Sequence, residues 1–74
     1  MKVEVRLFAT FRTGREKKYF MELEPGSKVS DILELLNIKE EELGILLVNG
    51  RDGDLNKALG DSDIVALFPP VGGG

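Results

Sequence analysis

The amino-acid sequence predicts an α+β domain in two layers, a mixed sheet of about four to five strands with one main helix packed on one face. Three observations carry this. Apolar residues recur at every second position in two early segments, as in half-buried strands, and form two short continuous runs later. Between them, one segment carries its apolar residues at helical spacing. The chain has 74 residues, 42% hydrophobic and 31% charged, which suits a single small core beneath a soluble surface.

Val3, Val5 and Leu7 alternate with Glu4, Arg6 and Phe8, so the first strand has one apolar face. The polar stretch Arg12-Thr13-Gly14-Arg15-Glu16-Lys17 separates it from Tyr19, Met21 and Leu23, and the two form a hairpin with a longer loop. Glu24-Pro25-Gly26 is a turn, and Ser27 is the expected helix N-cap, because its hydroxyl can accept a bond from an otherwise unpaired backbone N–H. Val29, Ile32, Leu33 and Leu36 stand at i, i+3, i+4 and i+7. That stripe covers the sheet, with Asp31 and Glu34 pointing away.

Lys39 to Leu43 reads as a short irregular turn of helix. Leu46, Leu47 and Val48 then run into Asn49-Gly50, a strong hairpin signal at which a third strand ends. Arg51 to Asp63 reads as loop. Ile64-Val65-Ala66-Leu67-Phe68 makes the last strand, and Pro69 and Pro70, having no N–H, stop it from pairing further. With no internal repeat and no linker, residues 1–71 form one domain and 72–74 a flexible glycine tail.

Several function classes are excluded by composition. The chain has no cysteine and no histidine, which removes disulfides, thiolate nucleophiles, Ser–His and Cys–His catalysis, and thiolate or imidazole metal sites. A domain of this size buries only about 60% of the surface its unfolded chain exposes, leaving little room for an internal cavity. Function belongs on the surface or at an end. A net charge of −3 argues against a nucleic-acid partner. The longest apolar runs, Ile45 to Val48 and Ile64 to Phe68, are too short to span a bilayer, and Glu4 and Arg6 interrupt any signal-peptide core. A cytoplasmic protein without membrane contact is expected.

Asp52, Asp54 and Asn56 occupy the first, third and fifth positions of a calcium loop, but Lys57 stands where the turn needs glycine and Asp63 where glutamate is needed, so no metal site is expected. Gly26-Ser27-Lys28 lacks the full glycine-rich phosphate loop and reads as capping. Arg12, Arg15, Lys17 and Lys18 form a basic cluster, open to RNA, to an acidic partner surface, or to solvent alone. On the last strand, Val65 and Leu67 face the helix if Ala66 and Phe68 face outward. With Leu47 and Phe8 these make an apolar patch on the face away from the helix, a docking surface.

The chain closes on Pro69-Pro70-Val71-Gly72-Gly73-Gly74. Ordinary glycine usage of about 7% makes a chance glycine pair at the end a roughly 0.5% event. The prolines hold the exit extended, and the glycines, lacking Cβ, can pass through a narrow channel and adopt backbone angles closed to other residues.

The whole pattern resembles the ubiquitin-like β-grasp fold, and three stretches sharpen the likeness: Leu7 to Arg12, Val48 to Arg51, and Asp63 to Gly74. They resemble the small subunit of molybdopterin synthase, in the sulfur-carrier family that includes the thiamine-pathway carrier. The tail departs from that subunit in carrying Gly72 where alanine is more usual. The resemblance implies a carrier, not a catalyst, whose Gly74 carboxylate is the reactive group, with Gly72 and Gly73 as its thin approach. It implies no bound cofactor. ATP is used by an adenylating partner enzyme, a sulfur donor system supplies the sulfur of the thiocarboxylate, and the large subunit of molybdopterin synthase receives that sulfur. It implies docking through Phe8, Leu47, Ala66, Phe68, Pro69, Pro70 and Val71, and a monomer when free. Protein modifiers of the same fold carry similar tails, so conjugation of Gly74 to lysines stays open, as does a passive interaction module.

Overall fold

A computed structural model of the chain describes residues 1–70. Val71 and Gly72 to Gly74, and with them the expected boundary at 71 and the glycine tail, lie outside the described residues. The elements are β1 (Lys2–Leu7), β2 (Lys18–Glu22), α1 (Val29–Leu36), β3 (Ile45–Val48), β4 (Arg51–Asp52) and β5 (Ile64–Phe68), with 3-10 turns at Ala9–Arg12 and Glu40–Glu42.

The five strands form one mixed sheet in the order β2-β1-β5-β3-β4. β1 pairs antiparallel with β2 and parallel with β5, and β3 pairs antiparallel with β5 and with β4. The last strand thus lies at the centre. Lateral partners share a face: Val5 stands beside Val65, Leu7 beside Leu67, and Leu46 and Val48 beside Leu67 and Val65 on the other side. This inner face meets the stripe of α1. Val3, Val5, Leu7, Val29, Ile32, Leu33, Val65 and Leu67 are fully buried, with Phe11, Ile38 and Leu59 closing the ends of the core. Leu36 and Met21 pack at its margin. Full burial of such side chains contributes about 1.5–3 kcal/mol each, which is why the alternating pattern decides this face.

Two expectations are corrected. The helix N-cap is Lys28, not Ser27. The Ser27 N–H donates to Glu24 O at 3.1 Å, continuing the turn by one residue, and the Asp31 carboxylate accepts the Lys28 N–H at 2.8 Å. The segment from Arg51 is not loop throughout, because Arg51 and Asp52 pair back on Val48 and Leu47. The turn between them places Asn49 at φ 54 and Gly50 at φ 80, the two positive values that this tight hairpin requires. The Asn49 side chain also reaches across the sheet. Its Nδ2 donates to Asp63 at 2.9 Å, its Oδ1 accepts the Ile64 N–H at 2.9 Å, and Asp63 in turn accepts the Gly60 N–H. The entry to β5 is thereby tied down by polar side chains.

Candidate functional site

Alternation along β5 sends Ala66 and Phe68 to the face opposite Val65 and Leu67, and the register places Leu47 beside Ala66 and Ile45 beside Phe68. Phe8 follows β1 directly, and its N–H donates to Leu67 O at 3.2 Å. That bond brings its ring onto Phe68, with centroids 4.3 Å apart and planes inclined by only 9°. Pairs of this kind contribute about 0.5–1.5 kcal/mol beyond the area they bury. The Arg12 guanidinium lies 5.1 Å from the centroid of Phe8, while its Nε donates to Leu7 O at 2.7 Å. Phe8, Leu47, Ala66 and Phe68 therefore share one partly buried patch on the outer face, where the strand alternation expected them.

Ile45 belongs to the same patch and was absent from the sequence expectation. It is 44% exposed, the largest exposure in the group. Its signal was present, since Ile45 is two residues from Leu47 in one apolar run, but the third strand was expected to begin at Leu46. The outward row across the sheet continues from Leu47 and Ala66 to Arg6 and then Lys18. Arg6 forms an ion pair with Glu4, two residues along the same face. Beyond that pair, Phe20 stands alone at 66% exposure with Lys18 above its ring.

The chain leaves this patch through Pro69 and Pro70. Pro69 is partly buried and Pro70 exposed. The Phe68 carbonyl accepts the Gly44 N–H at 2.8 Å, the last bond between the two strands on that side. Val71, Gly72, Gly73 and Gly74 lie outside the described residues, so the patch and the exit are the parts of the candidate site whose geometry is seen.

The basic cluster divides. Arg15 donates to Phe11 O, Leu36 O and Asn37 O, joining the loop after β1 to the last carbonyls of α1, and Arg12 is held as above. Lys17 and Lys18 remain exposed. The acidic loop is likewise engaged in its own turns: Asp54 accepts the Asn56 N–H at 2.8 Å, and both Asp63 carboxylate oxygens are bonded. Among the described residues no group of three or more Asp or Glu is arranged to hold a metal ion. None of their helices is long and apolar enough to cross a membrane.

Residues 5–74 match the family model of the ThiS family. The chain belongs to the ThiS family. This ThiS-family chain is 32% identical, over an alignment 92 positions long with gaps, to small archaeal modifier protein 3 of Haloferax volcanii, with 100% of each chain covered. It is also similar to a chain in the solved complex of subunits 1 and 2 of molybdopterin-converting factor from Helicobacter pylori, at 30% identity, 100% coverage of each chain and a TM-score of 0.69. The crystal structure of SAMP1 from Haloferax volcanii matches at 27% identity, again over 100% of each chain, with a TM-score of 0.77. The ThiS-family chain has the ubiquitin-like β-grasp fold, as the sequence led one to expect.

Proposed function

We propose that this ThiS-family chain is a sulfur carrier whose Gly74 carboxylate is adenylated by an ATP-using partner and converted to a thiocarboxylate, which donates sulfur in molybdopterin biosynthesis. The observation that carries the reading is the position of the outer apolar patch. Phe8, Ile45, Leu47, Ala66 and Phe68 surround the end of β5, the strand whose continuation runs through Pro69 and Pro70 to the glycines. A partner docked on the patch receives the chain end at its rim. The likeness to a chain of the two-subunit molybdopterin-converting factor adds support for a larger subunit as that partner.

The chemistry needs little from the chain beyond a free carboxylate. Its oxygen attacks the α-phosphorus of ATP, the α–β phosphoanhydride bond breaks, and pyrophosphate leaves. A sulfide-level nucleophile from the donor system then attacks the acyl carbon and expels AMP, leaving the thiocarboxylate. The chain contributes reach and thinness. Moving the carboxylate by one residue shifts it by about 3.3–3.6 Å, whereas reacting atoms must approach within about 3–3.5 Å. Deleting Gly74, or adding one residue after it, should abolish ATP–pyrophosphate exchange with the cognate activating enzyme. Gly73→Val should abolish it too, because a branched side chain fills the channel and restricts the backbone.

The second reading, a protein modifier conjugated through Gly74, is favoured by the 32% identity to small archaeal modifier protein 3. Both readings share the adenylation step and diverge at its product. Mass spectrometry of the protein isolated from its native host separates them. A terminal peptide with one oxygen replaced by sulfur marks the carrier, and an isopeptide from Gly74 to a lysine of another protein marks the modifier. A free carboxylate throughout, with no exchange activity, leaves the passive interaction module.

A further inference from the structure

Gly44 stands directly before β3, and its N–H bond to Phe68 O closes the ladder between β3 and β5. A Cβ built on Gly44 would lie 2.6 Å from Pro70 Cα and 2.7 Å from both Pro69 O and Pro70 N, distances below the 3.0 Å that real Cβ atoms essentially never breach. All three neighbours are backbone atoms, so no side-chain rotation could relieve the contact. Gly44 does not have a left-handed φ. The position therefore demands glycine for room and not for backbone freedom. Pro69 and Pro70 have no N–H to bond to the start of β3, and their rings restrict φ, so the backbone has little freedom to give way at the Gly44 contact.

We propose that Gly44 is a positioning residue, whose missing side chain sets the direction in which the chain leaves the sheet at Pro69 and Pro70 and so where the glycines are delivered once the outer patch is docked. The delivery half of this inference rests on the activation of Gly74 proposed above. Moving from 2.6 Å to the ordinary contact range of 3.4–4 Å displaces one backbone from the other by about an ångström, at the base of the tail. A misplacement of about 1 Å at a reacting group can cost about 100-fold in rate.

The test compares Gly44→Ala with Gly60→Ala, where an added Cβ would make only ordinary contact with Asp63 at 3.7 Å or more. Carbon chemical shifts of Pro69 and Pro70 report the exit, and ATP–pyrophosphate exchange, run against increasing concentrations of the protein with its activating enzyme, reports delivery. Gly44→Ala should stay folded, shift the Pro69 and Pro70 resonances while leaving those of Val5 and Val65 in place, and lower kcat by about 10- to 100-fold. KM for the protein should change less than kcat, because Phe8, Leu47 and Ala66 of the docking patch keep their places. A merely structural role would not split the two constants in this way. Gly60→Ala should behave as wild type. Pro70→Gly, which frees the exit while keeping Gly44, should also lower kcat, and combining it with Gly44→Ala should cost less than the sum of the two. Equal kcat for Gly44→Ala and wild type, or unmoved Pro69 and Pro70 resonances, overturns the proposal. Should Gly44→Ala fail to fold, an unchanged kcat in Pro70→Gly overturns it instead. A wild-type protein that supports no exchange sinks the activation reading alone, and the proline resonances still decide whether Gly44 sets the exit.

Discussion

The two faces of the sheet are built from the same strands and obey different constraints. The inner face carries Val3, Val5, Leu7, Val65 and Leu67, all fully buried, and alternation along each strand accounts for every one of them. The outer face carries a charged pair, Arg6 and Glu4, in its middle, with Phe20 isolated on one side and Phe8, Ile45, Leu47 and Phe68 gathered on the other. Core packing does not require that gathering. Three of the four aromatic and branched groups nearest the exit come from positions 8, 45 and 68, far apart in the chain, and only strand register brings them together. On the inner face an apolar residue is explained by the molecule itself, and on the outer face we propose that a partner covers it.

If that division holds, changes on the two faces should fail in different ways. Leu67→Ala should cost about 2–5 kcal/mol of stability, since a fully buried side chain leaves a cavity in a core of small radius, and urea unfolding would read the loss. A Leu67→Ala protein with wild-type stability would break the comparison from the inside. Phe68→Asp should spare the fold but weaken binding to the partner by at least tenfold, about 1.4 kcal/mol, because the stack with Phe8 is lost and a carboxylate must be desolvated on docking. Calorimetric titration alongside circular dichroism checks both halves. Unchanged affinity with an intact fold would remove the patch from the site. Phe20→Ser should do the least, leaving affinity unaltered and stability within about 0.5 kcal/mol, because its ring lies beyond the Arg6–Glu4 pair and is largely exposed. A loss of affinity there would extend the docking surface across the whole outer face.

What the sequence revealed follows the same line. The inner face, the helix stripe and the outward turn of Ala66 and Phe68 were legible because each depends on spacing within one segment. The Asn49-Gly50 turn was legible too, yet the two-residue β4 after it was not, since two residues carry no period to detect. Ser27 was a reasonable cap by residue type, and the chain chose Lys28 because Asp31, three residues on, could accept its N–H. Arg15 looked like part of a basic patch, although its guanidinium is engaged by carbonyls 21 and 22 residues away, at Leu36 and Asn37. Gly44 gave no signal at all. Its role exists only where two backbones meet, and a single glycine in a loop is silent about what passes beside it.

The placement of β5 between β1 and β3 has a consequence for how the molecule comes into being. β5 is the last of the described strands in chain order and fills the middle of the sheet, so without it nothing joins the β2–β1 pair to the β3–β4 pair. The pairing of β1 with β5 joins segments about as distant in sequence as the chain allows, and contacts of this kind are the slow ones in folding. A chain broken off before Ile64 would therefore lack the centre of its sheet as well as its exit. Whatever engages the outer patch meets Phe68 beside Phe8 and Ile45 only after that centre has closed, so the surface itself certifies that the strand leading to the glycines has been made and seated.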